Sequence, residues 1–235
     1  MDIECNLKDV IPHIVHYCWF GNNPIPDNYK SYIESWHRFL PEWKFMEWNE
    51  NNCNVRLNAF VREAYYMKKY AFVSDYFRMK ALYEYGGVYL DTDVEMVRNI
   101  APLVEKGEFV GLEVDNLYGT GIICVRPQSA WVARMLDYYE SRHFFTWKGM
   151  LNTWANTIVL TQMYPNKTLP VTIYPIDYLS AKSWKTGEDL SSENTYTVHH
   201  YAVSWSPTRI PRQILRFVNY YKFIGYYLCC LLGKA

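Results

Sequence analysis

Two carboxylates one residue apart, Asp91 and Asp93, follow directly on the apolar run Val88-Tyr89-Leu90. Residues i and i+2 of an extended chain point to the same side, so the two can converge on one site. Carboxylates at the end of a buried strand are costly unless something positive meets them. Paired oxygen ligands of this kind suit Mg²⁺ or Mn²⁺ bridging to a substrate diphosphate, where the charge would offset that building on a leaving group. Upstream, Asp75 and Arg78 stand three apart, on one face of an expected helix whose other residues are largely apolar. Ionised groups in such a setting are normally paired or bound to a ligand. Asp75 could accept hydrogen bonds from sugar hydroxyls, and Arg78 could reach the sugar or a phosphate. Trp19, at the end of the first apolar run, offers a face for a nucleobase. Late in the chain, His199-His200-Tyr201-Ala202-Val203-Ser204-Trp205 brings imidazoles that could complete a carboxylate metal site and an indole N–H for a phosphate oxygen. Spacing alone does not choose between His199 and His200.

The elements that must position these residues read as an α/β alternation. Strands are expected over 11–20, 43–48, 88–94, 109–114, 122–125, 171–174 and 195–199. Helices are expected over 29–39, 57–70, on to Tyr85, then 130–141 and 152–163. Gly86 and Gly87 end the main helix where the chain must turn left-handed. Tyr118-Gly119-Thr120-Gly121 is read as the connection between two strands. In an open α/β sheet, ligands bind beyond the carboxyl ends of the strands, where the acidic pair and Trp19 fall. Residues 1–209 read as one domain, and 210–235 as an amphipathic helical tail carrying Arg212, Arg216 and Lys222 in a dense apolar series. The tail suits either packing on the domain or lying on a membrane surface.

Composition narrows the class. The 235 residues hold 24 Lys+Arg and 24 Asp+Glu, a formal net charge of zero that argues against nucleic acid as a partner. Twenty-two Tyr, 9 Trp and 11 Phe are mostly core, but also suit saccharide and base faces. Six Cys without a CxxC pair fit reduced thiols rather than a disulfide or zinc framework. The N-terminal residues lack a signal-peptide pattern, and no apolar run is long enough to span a membrane.

The segments IPHIVHYCWFG, AFVSDYFRMKALYEYGGVYLDTDVE, GTGII and YTVHHYAVSW resemble glycosyltransferase family 32, whose members carry a sugar-binding region with a DXD motif. The family includes bacterial capsular and exopolysaccharide enzymes, and its core is similar to the large clostridial glucosylating toxins. The resemblance implies a GT-A fold, a Rossmann-like open mixed sheet flanked by helices. It also implies Mn²⁺ or Mg²⁺, a nucleotide-sugar donor (a UDP-hexose), a saccharide or lipid-linked saccharide acceptor, and retention of anomeric configuration. Asp75, Arg78, Asp91 and Asp93 would be catalytic. Trp19, Asp75, Arg78, Tyr89, Asp91, Asn156 and Trp205 would hold the donor, with Asn152 near the sugar pocket. Asp91, Asp93 and His200 would hold the metal. A cytoplasmic enzyme, peripheral on the inner face of the membrane through its tail, is the expected placement. Two rival readings are a phosphatase of the haloacid-dehalogenase type, whose motif wants Thr or Val where Glu95 stands, and a carbohydrate-binding protein without turnover.

Overall fold

The computed structural model describes residues 10–146, 151–152, 154–202 and 212–232. Strand β1 (Ile14–Cys18) leads to helix α1 (Asp27–Phe39) and β2 (Lys44–Trp48). Helices α2 (Ala59–Tyr66) and α3 (Tyr70–Tyr85) follow, then β3 (Gly87–Leu90), β4 (Val94–Met96), the short α4 (Ala101–Val104), β5 (Phe109–Leu112) and β6 (Tyr118–Val125). Helices α5 (Ala130–Glu140) and α6 (Asn156–Met163), strand β7 (Thr172–Tyr174), the short α7 (Ile176–Leu179), β8 (Thr197–His199) and α8 (Arg212–Leu231) complete the chain.

Six strands form one mixed sheet in the order β2-β1-β3-β6-β5-β7, and β4 pairs with β8 in a separate two-stranded ladder. Strands β1, β2 and β3 run parallel, while β6 runs antiparallel to β3 and β5 antiparallel to β6. The carboxyl ends of β1, β2, β3 and β5 therefore share one edge with the start of β6. This is the open mixed sheet flanked by helices that a GT-A-type domain implies.

Burial of both sheet faces explains the continuous apolar strands. In β3, Val88 and Leu90 join a core with Val15, Trp36, Phe109, Ile122 and Cys124 on one side. Tyr89 turns to the opposite core, with Phe77, Val110, Ile123 and Val125. The break between α3 and β3 needs its glycines. Gly87 has φ +100°, and a Cβ there would lie 2.6 Å from the Ile14 carbonyl oxygen. The buried His16 braces the same turn. Trp48 Nε1 donates to its Nδ1 at 3.1 Å, so its Nε2–H donates to the Gly86 carbonyl at 2.8 Å. Burial, only partly offset by that carbonyl, holds His16 down at about 4, a neutral imidazole.

Several element boundaries differ from the sequence expectation. The helical stretch from 57 onward is two helices, because Lys68 takes φ 56° between them. The expected strand 88–94 stops at Leu90, and a turn closed by the Val94 N–H on the Asp91 carbonyl (2.9 Å) sends β4 off to β8. Residues 118–121 are not a connection but the first half of β6. Helix α6 begins at Asn156 rather than 152, leaving Asn152 outside it.

Candidate active site

The acidic pair sits at the shared strand edge. The Asp91 N–H extends the β3–β6 ladder by donating to the Gly121 carbonyl at 2.8 Å. This fixes the Asp91 side chain over the sheet, and the following turn brings Asp93 beside it. Strand β8 arrives antiparallel to β4 with His199 opposite Val94. His199 Nε2 thereby reaches Asp93 Oδ1 at 3.1 Å, and the Ala202 N–H donates to Asp93 Oδ2 at 2.8 Å. One ligand atom each from Asp91, Asp93 and His199 lies within 4.8 Å of the other two.

The electrostatics of this trio are those of a site with surplus negative charge. Burial alone would lower His199, but Asp93, Asp91 and Glu113 outweigh it and hold the imidazole up at about 9. Burial would raise Asp93, but His199 and the two hydrogen bonds keep it down at about 2. Asp91 is pushed up by burial, against the pull of Arg78. Glu113, on the residue after β5, is raised by burial to about 7, with His199 opposing.

The donor set fits a divalent cation: two carboxylates and one imidazole are acceptable to Mn²⁺ and Mg²⁺-type sites. The strand beneath has been cleared for it. A Cβ at Gly121 would stand 2.7 Å from His199 Cε1, 2.8 Å from its Nδ1 and 3.3 Å from Asp91 Oδ2. Only a residue without a side chain lets the trio close over β6.

A second network adjoins the first through Arg78. Its guanidinium donates to Asp91 Oδ1 at 2.8 Å and to the Thr120 carbonyl, and pairs with Asp75 Oδ1 at 3.3 Å. Tyr89 donates its hydroxyl to Asp91 Oδ1 at 3.0 Å, and the guanidinium carbon lies 4.4 Å from the centre of its ring. Asn156 donates its backbone N–H to Asp75 Oδ2 (3.4 Å) and its amide to the Asp75 carbonyl (2.9 Å), while accepting from the Tyr139 hydroxyl. Burial raises Asp75 to about 6 despite Arg78. Burial would lower Arg78, but Asp91, Tyr89 and Asp75 keep it firmly charged. The Arg78 Nε, buried, has no protein partner among the described residues.

Trp19 follows β1 on the same edge, half-buried. Its indole N–H donates to the Asn23 carbonyl at 2.7 Å, and its ring leans on Tyr29 at 5.6 Å. Thus Trp19, Tyr89, Asp75, Arg78, Asn156, Asp91 and Asp93 are gathered at one edge. The exception is the histidine. His200, the position the resemblance singles out, hydrogen-bonds Glu95 Oε2 at 2.9 Å and stacks on Tyr32, with ring centres 4.4 Å apart. His199 takes the place beside the carboxylates instead, because adjacent residues of a strand face opposite ways. Trp205 lies outside the described residues. Sequence reasoning missed Glu113, Gly119 and Gly121. The signal for Glu113 was the one used for Asp91, an acidic residue closing an apolar strand (Phe109-Val110-Gly111-Leu112).

Comparison with known proteins falls on the same residues. Residues 26–110 match the family model described as "Glycosyltransferase sugar-binding region containing DXD motif". That stretch of the chain is similar to a glycosyltransferase sugar-binding region. Its DXD is Asp91-Thr92-Asp93. The chain is 30% identical over 111 residues to inositol phosphoceramide mannosyltransferase 1 of Schizosaccharomyces pombe, an alignment covering 43% of this chain and 33% of the yeast protein. It is 30% identical over 128 residues to the uncharacterized glycosyltransferase L373 of Acanthamoeba polyphaga mimivirus, covering 50% and 51%. The chain thus spans between a third and half of the length of these curated relatives. Among solved structures it is similar to a glycosyltransferase involved in glycosylation of the major capsid of PBCV-1, at 12% identity and a TM-score of 0.49 over 81% of this chain and 95% of that one. It is also similar to the PaToxG glycosyltransferase, at 19% identity and a TM-score of 0.42 over 55% and 60%.

Proposed function

We propose that this chain is a metal-dependent, retaining glycosyltransferase that moves a hexose from a nucleotide sugar, a UDP-sugar, to a saccharide or lipid-linked saccharide acceptor. The observation that carries this reading is the convergence of Asp91, Asp93 and His199 beside the Asp75–Arg78–Asn156 network on one sheet edge. Asp91, Asp93 and His199 would hold Mn²⁺ or Mg²⁺, which supplies positive charge to a diphosphate leaving group when bound. Arg78 fixes Asp91 and keeps its own charge, so the acidic residue is presented in one rotamer. Asp75, oriented by Asn156, is placed to accept hydrogen bonds from donor-sugar hydroxyls. Trp19 offers its face to the nucleobase, and Trp205 its N–H to a phosphate oxygen. Retention requires the acceptor hydroxyl to approach on the face the diphosphate leaves. The test is a panel of UDP- and GDP-hexoses scored for Mn²⁺-stimulated hydrolysis, with the anomeric configuration of the released sugar followed by NMR. Turnover of one UDP-hexose with retention is expected. Turnover of simple phosphoesters without any sugar nucleotide would overturn the reading, and so would inversion for its stereochemical part.

Placement at a lipid surface is the second part of the proposal. Helix α8 has two faces. Asn219, Phe223 and Tyr226 turn inward; the Tyr226 hydroxyl accepts from Arg62 Nε at 2.6 Å, and its ring meets Tyr66 and Phe145. Tyr221, Ile224, Leu228, Leu231 and Leu232 are exposed on the opposite side. Residues 194–235 contain no Asp or Glu, but hold Arg209, Arg212, Arg216, Lys222 and Lys234. An apolar helix face in a segment whose charged residues are all basic is the pattern that anionic lipid attracts. Among the described residues, no helix is long and apolar enough to cross a membrane.

A further inference from the structure

Glu113 occupies the same edge as the metal-site residues, and nothing in the mechanism above uses it. Its backbone N–H closes the β5–β6 hairpin on the Leu117 carbonyl at 2.8 Å, which sets the side chain at the lip of the sheet. Its carboxylate lies flat on β6. A Cβ at Gly119 would stand 3.1 Å from Glu113 Cγ and 3.4 Å from its Oε1. Gly119 and Gly121 are i and i+2 of one strand and so open the same face. Gly121 seats His199 and Asp91; Gly119 seats Glu113. Among the described residues, no hydrogen bond or ion pair engages the Glu113 carboxylate, although the residue is only partly exposed. The other carboxylates of the site, Asp75, Asp91 and Asp93, all have protein partners.

Strand order gives the position of Glu113 a meaning. Across the edge run β1 with Trp19, β3 with Asp91, β6 with its paired glycines, and β5 with Glu113. Glu113 reaches β6 from β5, on the side away from Trp19, and lies at Gly119, about 7 Å along the strand from the Gly121 that seats Asp91 and His199. A base at Trp19 and a diphosphate at Asp91 and Asp93 leave the saccharide end of the reaction to lie toward β5. Hydroxyl groups arriving there are donors, and a carboxylate without partners is an acceptor.

We infer that Glu113 is a saccharide-binding residue that accepts hydrogen bonds from sugar hydroxyls at the transfer end of the site, and that it helps set which sugar is accepted. The inference rests on the glycosyltransferase reading, and the experiment separates the two. Wild type, Glu113→Gln and Glu113→Ala are compared for thermal midpoint, for binding of UDP in the presence of Mn²⁺, and for KM and kcat with the UDP-hexose that wild type turns over, using methyl hexosides as acceptor probes. The expected result is an unchanged midpoint and unchanged UDP binding in both variants, with KM for saccharide raised at least tenfold in Glu113→Ala and less in Glu113→Gln, which keeps one acceptor oxygen. A rise in donor KM assigns the hydroxyls to the donor sugar; a rise in acceptor KM with donor KM held assigns them to the acceptor. Unchanged KM values in both variants would overturn the inference. Loss of UDP binding or a large drop in midpoint would overturn it in favour of a structural role. A wild-type chain that binds UDP and Mn²⁺ but turns over no sugar nucleotide defeats the transferase reading itself, and this inference with it.

Discussion

Asp93 is held from two directions, by His199 Nε2 and by the Ala202 N–H. In the absence of a cation, the imidazole is the positive charge beside Asp93, as the Arg78 guanidinium is beside Asp91. This makes a proton and a metal ion competitors for one position. His199, held up at about 9, must lose its proton to become a ligand. Apparent Mn²⁺ affinity should therefore rise about tenfold per pH unit toward pH 9, as measured by isothermal titration calorimetry at several pH values. A flat profile would mean that His199 does not ligate. Stability of the metal-free chain should follow the opposite course on the alkaline side. A folded-state value raised above the ordinary 6.5 stabilises fully below that pH, and this contribution is lost as pH climbs through about 9. The Asp93 contribution, from a value depressed below 3.8, is present above that pH and lost as pH falls toward 2. Substitution separates the two histidines. Asp93→Asn and His199→Ala should each cut Mn²⁺-stimulated donor hydrolysis by roughly 100-fold or more, with circular dichroism unchanged. His200→Ala should leave Mn²⁺ affinity within a few fold. The reverse order for the histidines would return the ligand role to His200.

At the scale of elements, strand β6 is the platform. Its sequence predicts a short strand preceded by a connection, because Tyr-Gly-Thr-Gly has the composition of a turn. Pairing with both β3 and β5 overrides that local tendency and uses the glycines as low points in a strand. Gly121→Ala puts a methyl group within 2.7 Å of His199, so the imidazole must move off the carboxylates. The expected outcome is a loss of Mn²⁺ affinity of about 10-fold or more with the strand itself intact, seen as an unchanged far-ultraviolet spectrum. Near-native affinity would show that the trio does not depend on this close approach. The α3–β3 break behaves differently. Asp75 and Arg78 are correctly spaced by the helix alone, and the Gly86-Gly87 turn then brings Tyr89 and Asp91 back onto Arg78.

For the molecule as a whole, the unanswered surface is the outer face of α8. Its inner face is satisfied by Arg62, Tyr66 and Phe145, so the exposed leucines are not a consequence of an undocked helix. Vesicles containing phosphatidylserine should cosediment the chain, and neutral phosphatidylcholine vesicles should bind it several-fold less. Leu228→Glu combined with Leu231→Glu should abolish cosedimentation while leaving Mn²⁺-dependent hydrolysis of a UDP-hexose in solution unchanged. Equal binding of the double variant and wild type would sink the lipid-surface proposal.

What the amino-acid order determined by itself was a set of relations that are local along the chain. The helix period places Asp75 and Arg78 together, the one-residue spacing keeps Asp91 and Asp93 together although a turn rather than a strand carries them, and two glycines mark the break between the two pairs. The α/β class followed from the same periodicities, and the acidic pair could be read as ion-binding because an apolar strand led into it. Tertiary structure decided the relations that span long stretches of sequence. Asp93 and His199 are 106 residues apart, and which histidine faces the carboxylates depends on the β4–β8 register, in which a slip of one residue exchanges the two. Glu113 is likewise meaningless until β5 is seen beside β6, with Gly119 beneath it. Side-chain direction in a paired strand is a property of the partner strand's alignment, and no local pattern carries that information.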